Sequence, residues 1–312
     1  MKKNLINISL LTILFVLIQA CGNPKKTEKE KAKRVPLQAL NEDELNQQPD
    51  FKSLEEALKR PEKAYRLDLS EKGLKEISDI QQLTRLQRLY LDKNPELNWA
   101  KTFEALSELP LLQELGLSEN QLKVLPSEIT KLKSLKAIWL DFNPQLQIEP
   151  TIDLLAELPQ LQELFLQSNQ IKLLPENIGK LKNLKRLALG YNQLKEMPFK
   201  IAGLQQLEVI ELMHNPNLNL KRLFEQLAPL KNLKRLILSN CKQPELPKEV
   251  ALLENIELLV LDGNLFETLP EELNRLKKLK KIILYNNPLD PMFAKNLQKF
   301  LPKVEIEFDT PV

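Results

Sequence analysis

A leucine pattern of the form LxxLxLxxNxL recurs along most of the chain and limits what it can fold into more than any other feature. Clear copies are "LQELGLSENQL", "LQELFLQSNQI" and "LKRLALGYNQL", which begin at Leu112, Leu161 and Leu184. Successive copies start 22 to 26 residues apart. A period of this length is typical of a solenoid, in which each unit packs only against its neighbours. The units start at Ala64, Leu86, Leu112, Leu135, Leu161, Leu184, Leu207, Leu233, Ile256 and Leu279.

The LxL part of each unit predicts a short strand, because alternate side chains of a strand face the same side. Its two leucines and the leading leucine point inward, and stacking on the next unit is needed to bury them. At position 9 the chain turns inward, and an asparagine there can satisfy buried backbone groups. These residues are Asn94, Asn120, Asn143, Asn169, Asn192, Asn215, Asn264 and Asn287, with Cys241 once in their place.

The segments that return from one strand to the next are of two kinds. Those with the motif LPxxΦ, such as "LPSEI", predict a compact arc with one short helical turn. The longer ones contain "TFEALSEL", "TIDLLAEL" and "KRLFEQL", which read as helices. A capping box from Ser53 to Glu56 predicts a helix that closes the first end of the stack. The segment from Pro291, with a last strand, is predicted to close the other end.

The repeats resemble the leucine-rich repeat family from about residue 64 to residue 308. This resemblance implies an α/β solenoid, curved like a horseshoe, with a parallel sheet on the concave face. Short helices and 3-10 turns would cover the convex face, and a helix would cap the amino-terminal end. The domains predicted are an N-terminal cap over 37–63, ten repeats over 64–290 and a C-terminal cap over 291–312.

The first twenty residues have the organisation of a secretory signal peptide: a basic start, an apolar run and small residues at its end. Residues 17–21, "LIQAC", resemble the lipobox of bacterial lipoproteins. That resemblance implies cleavage before Cys21 and lipid attachment to its sulfur, and Gly22 after it favours the outer membrane. An ordinary signal or an uncleaved anchor, with Cys21 incidental, is the alternative.

Residues 21–36 have few apolar side chains and are predicted to be a disordered basic tether, or simply a solvated linker. The net charge of the chain is +3. Positive charge is concentrated near the amino terminus, so the repeat-bearing part is slightly acidic and a nucleic-acid partner is disfavoured. One histidine and two cysteines leave little room for a zinc site, a serine protease triad or a disulfide framework.

The strand "AIWLD" raises the question of what its large ring contacts. Ile138 and Leu140 occupy inward positions, so Trp139 is predicted to face the open, concave side. Strands lie about 4.8 Å apart, which places Trp139 beside Phe165 and puts Tyr90 about 10 Å beyond it. The candidate ligand-binding residues are Tyr90, Trp139, Phe142, Phe165, Glu163, Tyr191, Glu211 and His214. A polar rim is predicted from Glu114, Asp141, Glu163, Glu211 and Asp262.

These residues predict a non-catalytic module that binds a protein partner on the concave face, because exposed apolar patches mark interaction sites. Resemblance to leucine-rich repeat proteins, including internalins, also implies protein ligands. Stacking that only stabilises the sheet is the alternative for the rings. A polysaccharide ligand is a second hypothesis for the surface. An enzyme that uses concave carboxylates is a third, but no catalytic motif is present, and His214 near Glu211 is interpreted as a surface residue. We expect no metal and no cofactor.

Overall fold

The computed structural model describes residues 37–309. Its centre is one sheet of twelve strands, all parallel and paired in chain order. The predicted signal, the tether and Cys21 lie outside the described residues. The strands are β1 Asp50–Phe51, β2 Arg66–Asp68, β3 Arg88–Tyr90, β4 Glu114–Gly116, β5 Ala137–Trp139, β6 Glu163–Phe165, β7 Arg186–Ala188, β8 Val209–Glu211, β9 Arg235–Ile237, β10 Leu258–Val260, β11 Lys281–Ile283 and β12 Glu305–Glu307.

Helices and 3-10 turns carry the chain back from each strand to the next. The α-helices are α1 Glu42–Asn46, α2 Leu54–Lys59, α3 Trp99–Leu106, α4 Ile148–Leu155, α5 Leu220–Leu227 and α6 Pro291–Phe300. The 3-10 turns are Pro61–Lys63, Ser78–Gln82, Ser127–Lys131, Glu176–Lys180, Phe199–Gly203, Lys248–Leu252 and Glu271–Arg275. The three long arcs therefore form helices α3, α4 and α5, as their sequences predict. A proline fixes the backbone just before each of the last five of these 3-10 turns, four of which carry the motif LPxxΦ.

One continuous core runs through the stack and is made mainly of the repeated leucines. Ile138 and Leu140 are fully buried, as the leucine spacing predicts. Burial is shared between neighbouring units, because each unit's leucines contact those of the next. Residues 38–312 form one compact unit with its own core and a cap at each end. We infer that this unit folds without the residues that precede it.

A ladder of asparagine side chains supports the turns at position 9. Asn143 is typical: its Nδ2 donates to the carbonyls of Leu117, Leu140 and Asp141, at 3.0–3.1 Å. Its Oδ1 accepts from the backbone N–H groups of Asn120 and Leu122 in the preceding unit. One side chain thus gives partners to five backbone groups at this turn. Where Cys241 replaces asparagine, its Sγ donates to the carbonyl of Leu212 at 3.2 Å.

The amino-terminal cap contains more elements than the single helix that the sequence predicts. Ser53 caps α2 by accepting from the N–H of Glu56, but the Glu56 carboxylate bonds to Arg60 and does not complete the predicted box. The complete capping box belongs to α1. There, Oδ1 of Asn41 accepts from the backbone N–H of Glu44, and Oε2 of Glu44 accepts from the backbone N–H of Asn41. Strand β1 adds one more rung to the sheet.

Candidate binding surface on the sheet

Three rings form a stack across the concave side of the sheet, which we call the ring stack: Tyr90, Trp139 and Phe165. Trp139 and Phe165 are register partners on β5 and β6, and their ring centroids lie 4.9 Å apart at an interplanar angle of 8°. Trp139 is partly exposed, whereas the isoleucine before it and the leucine after it are buried. The predicted orientation of the indole, away from the leucine core, is therefore what the structure has.

Tyr90 lies much closer to Trp139 than the strand spacing predicts. The two ring centroids are 5.9 Å apart in an edge-to-face arrangement, although one strand separates their own strands. Gly116, on that intervening strand, makes this possible, because a Cβ there would meet Cδ1 of Tyr90 at 2.6 Å. The prediction of a gap of about 10 Å was wrong, since the tyrosine leans into the space that the glycine leaves.

Phe165 is almost fully covered, which changes how the ring stack can act. Only 5% of the residue is exposed. Trp139 covers one side of its ring, and the guanidinium carbon of Arg186 lies 4.9 Å from the ring centroid. Arg186 in turn donates from Nε to Oε1 of Glu211 at 2.8 Å. Phe165 and Glu211 therefore support their neighbours, and the edges of Trp139 and Tyr90 supply what the ring stack offers to a ligand.

The carboxylates of the predicted rim are less exposed than a rim requires. Asp141 is buried, and its Oδ1 accepts from the backbone N–H of Gln167 at 2.6 Å. Burial is the main cause that raises the pKa of Asp141 to about 6, and the carboxylates of Asp92 and Glu211 raise it further. The Glu163 side chain is more open, and burial also raises its pKa. Asp141 was wrongly assigned to an exposed rim, because it braces the backbone of the next unit.

A second group of rings lies where the strands end, at position 8 of the units. We call Phe142, Tyr191 and His214 the edge ridge. All three have a left-handed backbone, with φ between 54° and 56°. Phe142 is 53% exposed and Tyr191 is 54% exposed. The rings of Tyr191 and His214 stack with centroids 4.1 Å apart at an interplanar angle of 17°.

The left-handed turn is a property of the repeat and not of the aromatic residues. The other seven units place Glu71, Lys93, Glu119, Ser168, Asn240, Gly263 and Asn286 in the same backbone conformation. Asparagine and glycine adopt it readily, whereas a bulky side chain there costs about 1–2 kcal/mol. The sequence contains little signal of this turn, since a glycine occupies position 8 in only one unit from Leu86 onward.

His214 and Glu211 do not form an acid–base pair in the described part of the chain. The Glu211 carboxylate accepts from Arg186, and no hydrogen bond connects it with the imidazole. Among residues 37–309, no group of three or more histidine, cysteine, aspartate or glutamate side chains is placed to hold a metal ion. Within the same residues, no helix combines the length and the apolar character needed to span a membrane.

Comparison with known proteins identifies the repeat. A family model described as "Leucine rich repeat" matches residues 159–216. An internalin of Listeria monocytogenes is similar in structure, with a TM-score of 0.53 and 22% identity over 76% of this chain and 66% of that one. Internalin C2 of the same organism gives a TM-score of 0.51 and 23% identity over 67% of this chain and 84% of that one.

A chain in the Toll–Spätzle complex of Drosophila gives a TM-score of 0.62 and 19% identity, over 83% of this chain and 35% of that one. The chain thus spans 66% and 35% of the length of two of these three structures. No curated protein sequence matches. At these identities the structural likeness concerns the fold. Repeat pattern, stacked parallel strands and matched segment agree, and the described part of this chain folds as a leucine-rich repeat solenoid.

Proposed function

We propose that this protein is an exported bacterial lipoprotein with LPxxI-type repeats, which binds a protein partner without catalysis. The binding surface consists of the edge ridge together with the exposed parts of the ring stack. The fold supports a protein–protein interaction scaffold. One of the structures that share this fold, the Toll–Spätzle structure, is itself a complex of proteins.

The observation that carries this proposal is the exposure of large rings on a strained backbone. Phe142 and Tyr191 leave more than half of their surface exposed, and neither belongs to the hydrophobic core. Their left-handed backbone costs free energy that asparagine or glycine would save. Neither packing nor backbone geometry accounts for these two side chains. Contact with a ligand does, because aromatic rings are the residues that most often anchor a protein interface.

The surroundings of the rings favour a protein over a simpler ligand. Arg186, Glu163 and Glu211 form a mixed-charge network beside the ring stack, with Nε and Nη2 of Arg186 within 2.8 Å of Glu211. A surface that combines apolar anchors with charges of both signs discriminates between protein partners by electrostatic complementarity. A polysaccharide is the second candidate, and the exposed stack of Tyr191 on His214 favours it, because such rings also accommodate the apolar face of a sugar.

The test measures binding of residues 38–312 to an array of proteins and polysaccharides. The variant combines Phe142→Ser and Tyr191→Ser, and Ser168 shows that serine is tolerated at position 8. We expect the captured protein to bind at least tenfold more weakly to the variant, with an unchanged or higher melting temperature. Leu173→Ser, which removes an exposed apolar side chain elsewhere, should bind as the parent does.

Two results would contradict the proposal. If the double variant binds the partner as tightly as the parent, the edge ridge is not the binding surface. If only polysaccharides bind, and the double variant loses them, the ligand class is wrong although the surface is right. The melting curve of each variant separates loss of binding from loss of fold.

Export and anchoring are tested separately, at Cys21. We expect Cys21→Ser in the full-length chain to abolish incorporation of labelled fatty acid and to release the protein from the outer-membrane fraction. Cys241→Ser is the matched control, because it changes the other cysteine and keeps the lipobox. Labelling of the Cys21→Ser variant at the parent's level would refute the lipoprotein assignment.

A further inference from the structure

A groove of about 640 Å³ lies on the side of the return segments, away from the strands. It runs between the 3-10 turn Phe199–Gly203 and helix α5, and we call it the arc groove. Its origin is the change from a short arc to a long one, because a single 3-10 turn is narrower than the helix beside it. The lining residues are Glu176, Glu196, Met197, Pro198, Phe199, Ala202, Arg222, Glu225, Gln226 and Pro229.

Hydrogen bonds hold both walls of the arc groove in place. The Glu176 carboxylate accepts from the backbone N–H groups of Phe199 and Lys200, at 3.3 and 2.8 Å. From the helix side, Oε1 of Gln226 accepts from the N–H of Met197 at 2.9 Å. These bonds tie the turn to both of its neighbours, so the groove is largely formed before a ligand arrives.

Phe199 distinguishes this arc, in which residues 197–201 read MPFKI, from the four arcs that carry the LPxxΦ motif. The residue after the proline is polar in the others, namely Ser127, Glu176, Lys248 and Glu271. Phe199 is 82% exposed, more than any other large apolar residue in the described part of the chain. The repeat does not need an aromatic residue at this position, and the ring adds nothing to the core.

The charge of the lining is negative. Three carboxylates, those of Glu176, Glu196 and Glu225, face one guanidinium, that of Arg222. Arg222 pairs with Glu196 at 2.5 Å. Glu225 is exposed and has no ion pair among residues 37–309. A ligand therefore finds an open aromatic face and an uncompensated carboxylate in the same groove.

We propose that the arc groove binds an arginine-bearing segment of a partner protein. The guanidinium lies over the ring of Phe199 and donates hydrogen bonds to the carboxylate of Glu225. An apolar residue beside the arginine packs on Pro198 and Pro229. Arginine fits better than lysine, because its planar group stacks on a ring and forks onto a carboxylate at once. This inference is independent of the function proposed for the sheet face.

The experiment selects binders of residues 38–312 from a displayed library of random twelve-residue peptides. The enriched peptides are synthesised, and their affinities are measured by fluorescence anisotropy against the parent and single variants. We expect one group of peptides to share an arginine next to an apolar residue. Phe199→Ser and Glu225→Gln should each weaken that group about tenfold. Replacing its arginine with lysine should weaken it severalfold.

Controls distinguish this proposal from the one for the sheet face. Leu265→Ser, which removes another exposed apolar side chain, and the Phe142→Ser, Tyr191→Ser double variant should leave the arginine-bearing peptides bound as before. Serine follows the proline in the arc at Ser127, so Phe199→Ser should keep the parent's melting curve.

Two outcomes would overturn the inference. If no enriched peptide loses affinity in Phe199→Ser, the arc groove is not a docking site for peptides. If peptides depend on Phe199 but bind equally well with lysine or a neutral residue in place of arginine, the groove binds a different chemistry from the one proposed.

Discussion

Replacing Asp141 with asparagine should stabilise the protein at pH 8 and leave its stability unchanged at pH 4. The carboxyl group is buried, and burial with nearby carboxylates raises its pKa from 3.8 to about 6. A group whose pKa is higher in the folded state binds more protons there. The parent protein therefore loses stability as the pH rises from about 4 to about 6. Asparagine keeps the oxygen that accepts from Gln167 and carries no charge.

The size of the effect follows from the pKa shift. A shift of about two units at about 1.4 kcal/mol per unit gives about 3 kcal/mol at pH 8. For a domain of this size, this corresponds to a rise of about 6 °C in melting temperature.

The assay is thermal and urea unfolding of residues 38–312 at pH 4 and pH 8. Asp153→Asn is the control, because this exposed carboxylate is paired with Lys180, which lowers its pKa. That variant should be neutral or slightly less stable at pH 8. The reasoning on Asp141 is refuted if its variant is no more stable than the parent at pH 8, or if it gains equally at both pH values.

Three further predictions concern single side chains. Asn143→Ala should lower the free energy of unfolding in urea by at least about 3 kcal/mol, because several buried backbone groups lose their partner. Asn183→Ala, at an exposed position, should lower it far less, and equal losses would contradict the role of the asparagine ladder. Phe165→Ala should lower the free energy of unfolding by about 3 kcal/mol, whereas Tyr191→Ala should change it little. A larger loss in Tyr191→Ala than in Phe165→Ala would show that the covered ring and the exposed ring are misassigned. Burial raises the pKa of the Cys241 thiol to about 11, so iodoacetamide at pH 8 should label it only after unfolding, and rapid labelling of the folded protein would disagree.

The leucine spacing predicts the interior well because burial in this fold depends on position within the unit. Leu112, Leu115 and Leu117 are all buried, and the same holds along the stack. The distinction between short and long arcs is also readable, since the proline that precedes each LPxxΦ turn and the helical periodicity of α5 are local features. Because the same pattern occurs in ten units, an irregular residue in one unit does not obscure the assignment of its inward positions.

Side-chain positions on the sheet face follow from contacts between different units, which a linear pattern does not contain. Tyr90 reaches Trp139 because Gly116 on another strand makes room for it. Phe165 is covered because Arg186, from the next strand, lies over it. Asp141 turns toward the following unit, where its Oδ1 accepts from the backbone N–H of Gln167, and it is buried there. Residue type alone suggested that Phe165 and Asp141 are exposed, and contacts with neighbouring units cover both.

The asparagine ladder also bears on how such a molecule can change its length. Each rung connects backward in the same manner: the amide of Asn192, for example, donates to Leu166 and accepts from Ile171 of the unit before it. A gene duplication that inserts one whole unit would therefore find matching partners on both sides. Each inserted unit would move two binding residues on either side of it apart by one strand spacing, about 4.8 Å, while the leucine core stays continuous.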